Sequence, residues 1–181
     1  MELTNEIQIG DLTFVEFISQ EEILRKVEDI AHQISKEHHD KVPLFLVIMN
    51  GAFMFAADLI RKLDFPAELV FIRVKSYHGT ESTGNIKIFM PEEVTLAGRH
   101  VIILEDIIDT GNSMSSLLPA LEKMSPASLT LTAILVKPEA HQHDIPITYP
   151  GFEIPNKFVV GYGLDYNGIG RNLPAIYQLK K

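Results

Sequence analysis

The 181-residue sequence contains no cysteine, which excludes disulfide bonds and thiol catalysis, so we expect oxidation state to have no effect on the protein. Basic residues are also scarce, since the chain has 16 lysines and arginines but 24 acidic residues. The resulting formal net charge of -8 disfavours non-specific binding to nucleic acid, which needs a basic surface.

Long hydrophobic runs are missing as well. The most apolar stretch, residues 44–57, is interrupted by Asn50 and Gly51 and is too short to span a membrane. The N-terminus lacks a basic segment followed by an apolar one, so we expect no signal peptide. These absences together predict a soluble cytoplasmic protein that binds neither membrane nor nucleic acid.

What remains is ordinary globular composition, with 46% hydrophobic and 22% charged residues, and enough length for one good core. We therefore expect a single domain. A capping box of Ser19 and Glu22 starts a predicted helix that ends near His38 and His39, which we interpret as a solvated helix end. Apolar runs predict strands over residues 44–49, 69–74, 101–104, 129–136 and 158–160.

The stretch VIILEDIIDTGNS, residues 101–113, is the most informative in the chain. An unbroken apolar run of four residues is typical of a strand buried on both faces of a parallel sheet. Polar residues follow, and from Met114 the apolar spacing becomes helical, although Pro119 predicts a kink or a later start of that helix. The order strand, polar loop, helix predicts an α/β nucleotide-binding site.

The residues of this loop suggest distinct tasks. The backbone of Thr110 to Ser113, at a helix N-terminus, can hold a phosphate, with Gly111 allowing close approach. Glu105 and Asp106 repel phosphate, so they are expected to accept hydrogen bonds from sugar hydroxyls or to place a divalent cation. Asp109 is free to accept a proton. The alternative is that this is only a solvated turn with a helix cap.

Four apolar residues, then Glu-Asp, two aliphatic residues and Asp-Thr-Gly make up a motif in this stretch. The motif resembles the phosphoribosyl-pyrophosphate signature of the type I phosphoribosyltransferases. The rest of the chain is similar to hypoxanthine (hypoxanthine-guanine) phosphoribosyltransferases over nearly its whole length. The resemblance implies an α/β fold with a mainly parallel central sheet flanked by helices. It also implies a small hood built from the chain ends, residues 1–15 and 138–181.

The resemblance further implies transfer of 5-phosphoribosyl from its diphosphate donor to hypoxanthine or guanine, with Mg²⁺ as cofactor and a homodimer or homotetramer as assembly. Asp109 would be the catalytic base. The ribose 5'-phosphate side would be bound by a run of signature residues: Glu105, Asp106, Asp109, Thr110, Gly111, Asn112 and Ser113. The metal would be held by Glu105, Asp106 and Asp165.

For the diphosphate, the resemblance implies Asn50 and Gly51 in a first loop with a strained peptide bond, Arg171, and Ser76-Tyr77 at the start of a closing loop, residues 76–87. The family commonly has Lys-Gly where this chain has Asn50-Gly51, so only a backbone role for Asn50 is expected. The purine would lie among Ile107, Lys137, Phe158, Val159 and Asp165, with Lys137 donating to the 6-oxo group and Phe158 stacking on the ring.

Three alternatives stay open. Asp-Thr-Gly is also the catalytic motif of aspartic proteases, but these need two copies on an all-β fold, and this chain has one copy. A phosphoribosyltransferase-like regulator would bind nucleic acid, which a salt-dependent gel shift would reveal. Xanthine or another base could also be the preferred acceptor. Metal binding by His141 and His143 is disfavoured because no third ligand stands at zinc-site spacing.

Overall fold

The computed structural model describes residues 6–76 and 86–180. Its elements follow in chain order: strand β1 (Glu6–Ile9), β2 (Leu12–Ile18), helix α1 (Gln20–His38), β3 (Leu44–Ile48), α2 (Phe53–Ile60), β4 (Glu68–Ser76), β5 (Ile86–Phe89), β6 (His100–Ile108), α3 (Asn112–Glu122), β7 (Ser128–Val136), β8 (Tyr149–Glu153), β9 (Val159–Val160) and β10 (Ile176–Leu179). A short 3-10 helix, Pro138–Ala140, follows β7.

The larger sheet has six strands in the order β5-β4-β3-β6-β7-β8. All neighbouring pairs are parallel except the edge pair of β4 and β5. Alternate residues of β3 explain its unbroken apolar run, because Phe45 and Val47 pack with α1 and α2 while Leu44 and Leu46 pack with α3. The predicted α/β fold, with a mainly parallel sheet flanked by helices, is confirmed, and this architecture excludes an all-β aspartic protease.

A second sheet, antiparallel and in the order β1-β2-β10-β9, joins strands from both ends of the chain. Its own core contains five buried residues: Ile9, Phe14, Val160, Ala175 and Tyr177. Strand β8 lies within the segment expected to form the hood but belongs to the larger sheet. The hood boundaries given by the resemblance stay a prediction.

Three local predictions from the sequence concern the helices. The capping box is present, since the Ser19 hydroxyl accepts from the Glu22 backbone N–H and the Glu22 carboxylate accepts from the Ser19 N–H. Helix α3 contains Pro119 in its interior and begins at Asn112, so the later start considered for it is wrong. No helix in residues 6–76 and 86–180 is long and apolar enough to cross a membrane.

The interpretation of His38 as part of a solvated helix end is wrong. His38 is only 5% exposed, its Nδ1 is buried without a hydrogen-bond partner, and its ring packs edge-on against His100 at 6.3 Å. Burial lowers the pKa of His38, Lys41 and His100 lower it further, and Glu37 and Asp40 oppose the shift. The reason is tertiary, because His100 of β6 packs against this end of α1 and Tyr149 of β8 donates to the neighbouring Glu37.

His38 should therefore make the protein less stable in mild acid. Below about pH 6.5 the unfolded chain binds a proton that folded His38 resists, so the free energy of unfolding falls by at most about 1.4 kcal/mol per pH unit, until the lowered folded pKa is passed. Denaturant unfolding of His38→Gln across pH 5 to 8, a range set by the usual histidine pKa, should show a flatter profile. The exposed neighbour provides the control, His39→Gln, and an unchanged slope in His38→Gln would contradict the assignment.

Candidate active site

The ends of three parallel strands bring the predicted site residues to one edge of the larger sheet. Strand β3 leads into Asn50 and Gly51, β6 into Asp109, and β7 into Lys137. The chain runs from β3 outward to β4 in one direction and through β6 and β7 in the other, so the strand order reverses between β3 and β6. Open α/β sheets bind ligands at such a reversal, outside the carboxyl ends of the strands.

Strand β6 is longer than the sequence predicts, because it continues past Leu104 to Ile108. Glu105 and Asp106, expected in the loop, belong to the strand, and the pairing with β7 continues through Ile107 and Ile108. The physical reason is that Ile108 is buried against the α3 side of the sheet while Ile107 packs on the other side. The two carboxylates are therefore held on a rigid strand.

Glu105 and Asp106 form a linked acidic pair. Glu105 is 9% exposed, and its Oε1 accepts from the Asp106 backbone N–H at 3.1 Å. Asp106 Oδ1 accepts from the Ile107 N–H at 2.8 Å. Burial, and then the charge of Asp106, raise the pKa of Glu105 well above its usual range.

Gly51 lies directly against this pair. A Cβ at Gly51 would lie 1.4 Å from Asp106 Oδ2, so any side chain there would displace the carboxylate. The Asn50 side chain is exposed. The cis peptide bond of this loop joins Met49 to Asn50, whereas the resemblance implies the strained bond one residue later, between Asn50 and Gly51. The first loop thus meets the acidic pair through backbone.

The start of α3 forms a concave surface beside the acidic strand end. A cavity of about 140 Å³ is lined by residues 105–114. Gly111 adopts φ +81° at the N-cap, and Thr110 Oγ1 accepts from the Asn112 N–H at 3.3 Å. Because the first turn of a helix leaves N–H groups without partners inside the helix, this cavity is suited to an anion such as phosphate.

Residues 142–145, for which the sequence predicts no role at this site, pack against the helix start. The Gln142 N–H donates to the Thr110 carbonyl at 2.9 Å, and His143 Nε2 lies 2.8 Å from Asn112 Oδ1. Ile145 would lie 2.9 Å from a Cβ on Gly111, which explains why glycine is required there. No local sequence signal links residues 142–145 to the loop more than 30 positions earlier.

Lys137 and Asp109 form an ion pair at the centre of the edge. Lys137 Nζ donates to Asp109 Oδ2 at 2.7 Å, and Lys137 is 6% exposed, whereas nearly half of the Asp109 side chain is accessible. A lysine at a strand end is usually solvated, so the burial of this one depends on the tertiary structure. The pair places a buried cation and an accessible carboxylate side by side.

Phe158 belongs to an aromatic cluster on the smaller sheet. Its ring is 45% exposed and lies 6.1 Å from Phe14 and 5.9 Å, edge to face, from Tyr166. Tyr166 in turn donates to Asp11 Oδ1 at 3.1 Å. An exposed ring supported from behind by two others is a suitable surface for stacking. Val159, by contrast, is buried, so it offers backbone rather than side chain.

Asp165 and Arg171 pair with each other. Arg171 Nη2 lies 2.6 Å from Asp165 Oδ1, and Arg171 Nη1 donates to the Gly163 carbonyl at 2.7 Å. The other Asp165 oxygen accepts from the Gly168 N–H at 2.7 Å. Ser76 ends β4, but its side chain, Tyr77 and most of the predicted closing loop lie outside the described residues. Of that loop, Ile86 and Lys87 lie in β5 rather than in a loop.

Residues 6–76 and 86–180 contain no group of three or more histidine or acidic side chains arranged to hold a metal ion unaided. This fits Mg²⁺, which keeps several waters and binds proteins through one or two carboxylates together with substrate phosphates. Asp106 and Asp165 carry hard carboxylate oxygens of the kind that Mg²⁺ prefers, and their role as its ligands stays a prediction. Glu105 is less suited to bind Mg²⁺ than these two residues, since its raised pKa favours the neutral carboxylic acid when no cation is bound.

Comparison with known proteins identifies this arrangement. The model of the phosphoribosyl transferase domain matches residues 16–167. A hypoxanthine-guanine phosphoribosyltransferase of Lactococcus lactis is 42% identical over 164 residues, covering 90% of this chain and 89% of the relative. This chain belongs to the hypoxanthine-guanine phosphoribosyltransferase family.

Other phosphoribosyltransferases agree with this assignment. The hypoxanthine-guanine-xanthine phosphoribosyltransferase of Tritrichomonas foetus is 38% identical, with 90% of each chain covered. The crystal structure of a hypoxanthine phosphoribosyltransferase from Staphylococcus aureus superposes with a TM-score of 0.85 at 37% identity, covering 91% of this chain and 90% of that one. The similarity thus extends over about nine-tenths of this chain.

Proposed function

We propose that this chain is a purine-salvage transferase that moves 5-phosphoribosyl from 5-phosphoribosyl 1-diphosphate to hypoxanthine, and to guanine as a second acceptor. The products are IMP or GMP and diphosphate. Family membership supports the reaction, and one observation in this chain carries the assignment of residues: Lys137 Nζ lies 2.7 Å from Asp109 Oδ2. A base held by Lys137 through its 6-oxo group is therefore within reach of Asp109.

In this reaction the bond between the anomeric carbon and the diphosphate oxygen breaks, and a bond from that carbon to a purine nitrogen forms. The proton lost by the purine passes to Asp109. Glu105 and Asp106 hold the ribose hydroxyls, and the helix start binds the 5'-phosphate through Thr110, Gly111, Asn112 and Ser113. The carboxylates at this strand end also favour the positive charge that develops on the sugar.

The leaving diphosphate is bound by a separate set of residues. We assign it to Asn50 and Gly51 through backbone, to Ser76 and Tyr77, and to the Arg171 guanidinium. Asp165 and the pair Glu105 and Asp106 would hold Mg²⁺, which would supply positive charge to the leaving group when bound. The purine lies between Ile107 and Phe158, with backbone contacts from Val159 and Asp165.

The test is release of diphosphate by the purified protein with the donor, Mg²⁺ and one base at a time. Hypoxanthine and guanine should react at least about tenfold faster than adenine, because Lys137 donates to an oxygen that adenine lacks. Xanthine also carries that oxygen and is included because the T. foetus relative is named for its use. Adenine reacting faster than the 6-oxopurines would contradict the assignment of Lys137.

Lys137→Met removes the ammonium group and keeps most of the chain length. We expect kcat/KM for hypoxanthine to fall about 10- to 100-fold, since a charge-assisted hydrogen bond is lost, with the donor KM changed by less than about threefold. Lys123→Met, at the exposed end of α3, is the matched control. An unchanged base preference in Lys137→Met would exclude Lys137 from base recognition.

We also propose an assembly and a location. The assembly is a homodimer or homotetramer, which the family resemblance supports, and the location is cytoplasmic, which the sequence predicts. Sedimentation of the purified chain decides the first, and microscopy of the tagged chain in its host decides the second.

A further inference from the structure

The first loop, at residues 50 and 51, touches the loop of residues 161–171, which carries Asp165 and Arg171. Gly163 adopts φ +100°, and a Cβ there would lie 1.9 Å from the Gly51 carbonyl oxygen. The Gly163 N–H donates to the Arg171 carbonyl at 2.9 Å. The position of Arg171 relative to Gly51 is thus set by a contact between two backbones.

A buried hydrogen bond beside this contact holds the loop of residues 161–171 against helix α2. Tyr162 is 2% exposed, and its Oη donates to Asp58 Oδ2 at 2.8 Å. Asp58 lies on α2, the helix that follows the first loop directly, and its other oxygen pairs with Arg61. Burial, and then Asp58, raise the pKa of Tyr162, so the hydroxyl keeps its proton and acts as donor.

The backbone of Tyr162 shows that this position is held by tertiary contacts. Its φ of +47° lies in the left-handed region, which a bulky side chain rarely adopts. The Tyr162 N–H donates to the Leu173 carbonyl at 2.8 Å, on the far side of the loop. The side-chain bond to Asp58 and this backbone bond together fix both ends of the residue.

We propose that Tyr162 is a positioning residue for the diphosphate end of the donor, acting through its hydrogen bond to Asp58. The bond holds the Arg171 loop against the first loop, so that groups from both meet the diphosphate at once. The proposal rests on the proposed function for the identity of the ligand. It assigns Tyr162 no contact with the substrate.

Tyr162→Phe keeps the ring in the core and removes only the hydroxyl. We expect the donor KM, and the dissociation constant for inorganic diphosphate with Mg²⁺ measured by calorimetry, to rise about tenfold. The kcat should change by less than about threefold and the KM for hypoxanthine by less than the donor KM, because Asp109, Lys137 and Phe158 lie outside this contact and only the backbone contact from Asp165 lies within it. A merely destabilised fold would not separate the two substrates.

A double-mutant cycle tests whether the hydroxyl acts through Asp58. Asp58→Ala should reproduce the rise in the diphosphate dissociation constant, and adding Tyr162→Phe should raise it no further. Asp58→Asn keeps an oxygen acceptor and should retain most of the affinity. The matched control is Tyr149→Phe, because Tyr149 Oη donates to Glu37 Oε2 at 2.6 Å, in a comparable bond between β8 and α1 that involves neither loop.

Unchanged diphosphate affinity in Tyr162→Phe, additive effects in the double mutant, or an equal effect in Tyr149→Phe would each overturn the proposal. Calorimetry with diphosphate does not depend on turnover. If the wild-type protein releases no diphosphate with any base, the proposed function fails, while the binding series still decides the role of Tyr162.

Discussion

Asp109→Asn is expected to lower kcat about 10²- to 10⁴-fold, the range that a positioned general base contributes. Asparagine has the same shape and its oxygen can still accept from Lys137 Nζ, so the architecture of the pair is kept. It cannot take up the proton that the purine must lose. The donor KM should change by less than about threefold, because the phosphate is assigned to residues 110–113. Steady-state kinetics with hypoxanthine would measure both parameters.

The matched control for this variant is Asp144→Asn, the same chemical change at an exposed position in the segment behind the helix start. It should leave kcat within about twofold of the wild-type value, as surface changes usually do. Equal losses of kcat and donor affinity in Asp109→Asn would contradict the assignment of Asp109 as the base. Its role would then be donor binding.

Gly51→Ala is expected to lower kcat/KM by about 100-fold or more, although it adds only one methyl group. The methyl carbon would lie 1.4 Å from Asp106 Oδ2, so either the first loop or the carboxylate must move by an ångström or more. Displacements of about 1 Å in groups that position a substrate have costs of this order. Thermal unfolding, measured beside the kinetics, would show whether the variant is folded.

The cause of that loss can be isolated by removing the group that the methyl would strike. In an Asp106→Ala background, which has lost its own share of activity, Gly51→Ala should lower kcat/KM by less than about threefold. A full 100-fold loss in that background would show that the contact with Asp106 is not responsible. The contact between Gly51 and Gly163 would then be the cause to examine.

The sequence was sufficient for the parts of the fold that depend on local patterns. The runs in β3, β6 and β7 predicted buried strands because residues of both parities are apolar, and each strand is indeed covered on both faces. Ser19 and Glu22 predicted the start of α1 because a capping box is a local interaction. The family signature predicted a site at residues 105–113 for the same reason, since its residues are contiguous, and the structure has a cavity there.

The features that were missed depend on residues far apart in the chain. His38 packs against His100, which follows it by more than 60 positions, and Lys137 is paired with Asp109, which precedes it by 28 positions. The contact of Gly51 with Gly163 spans more than 100 residues and leaves no periodic trace. Strand β6 passes through Glu105 and Asp106 because its pairing with β7 compensates for two residues disfavoured in strands.

The position of β10 between β2 and β9 has a consequence for biosynthesis. Strand β10 leaves the ribosome after β2 and β9, and it joins the hairpin of β1 and β2 to the segment carrying Phe158. The aromatic cluster of Phe14, Phe158 and Tyr166 is therefore held together by the sheet only after residue 176 has been synthesised. A nascent chain that stops before residue 176 leaves β2 and β9 without their common neighbour, so the stacking surface proposed at Phe158 is not assembled before β10 has been made.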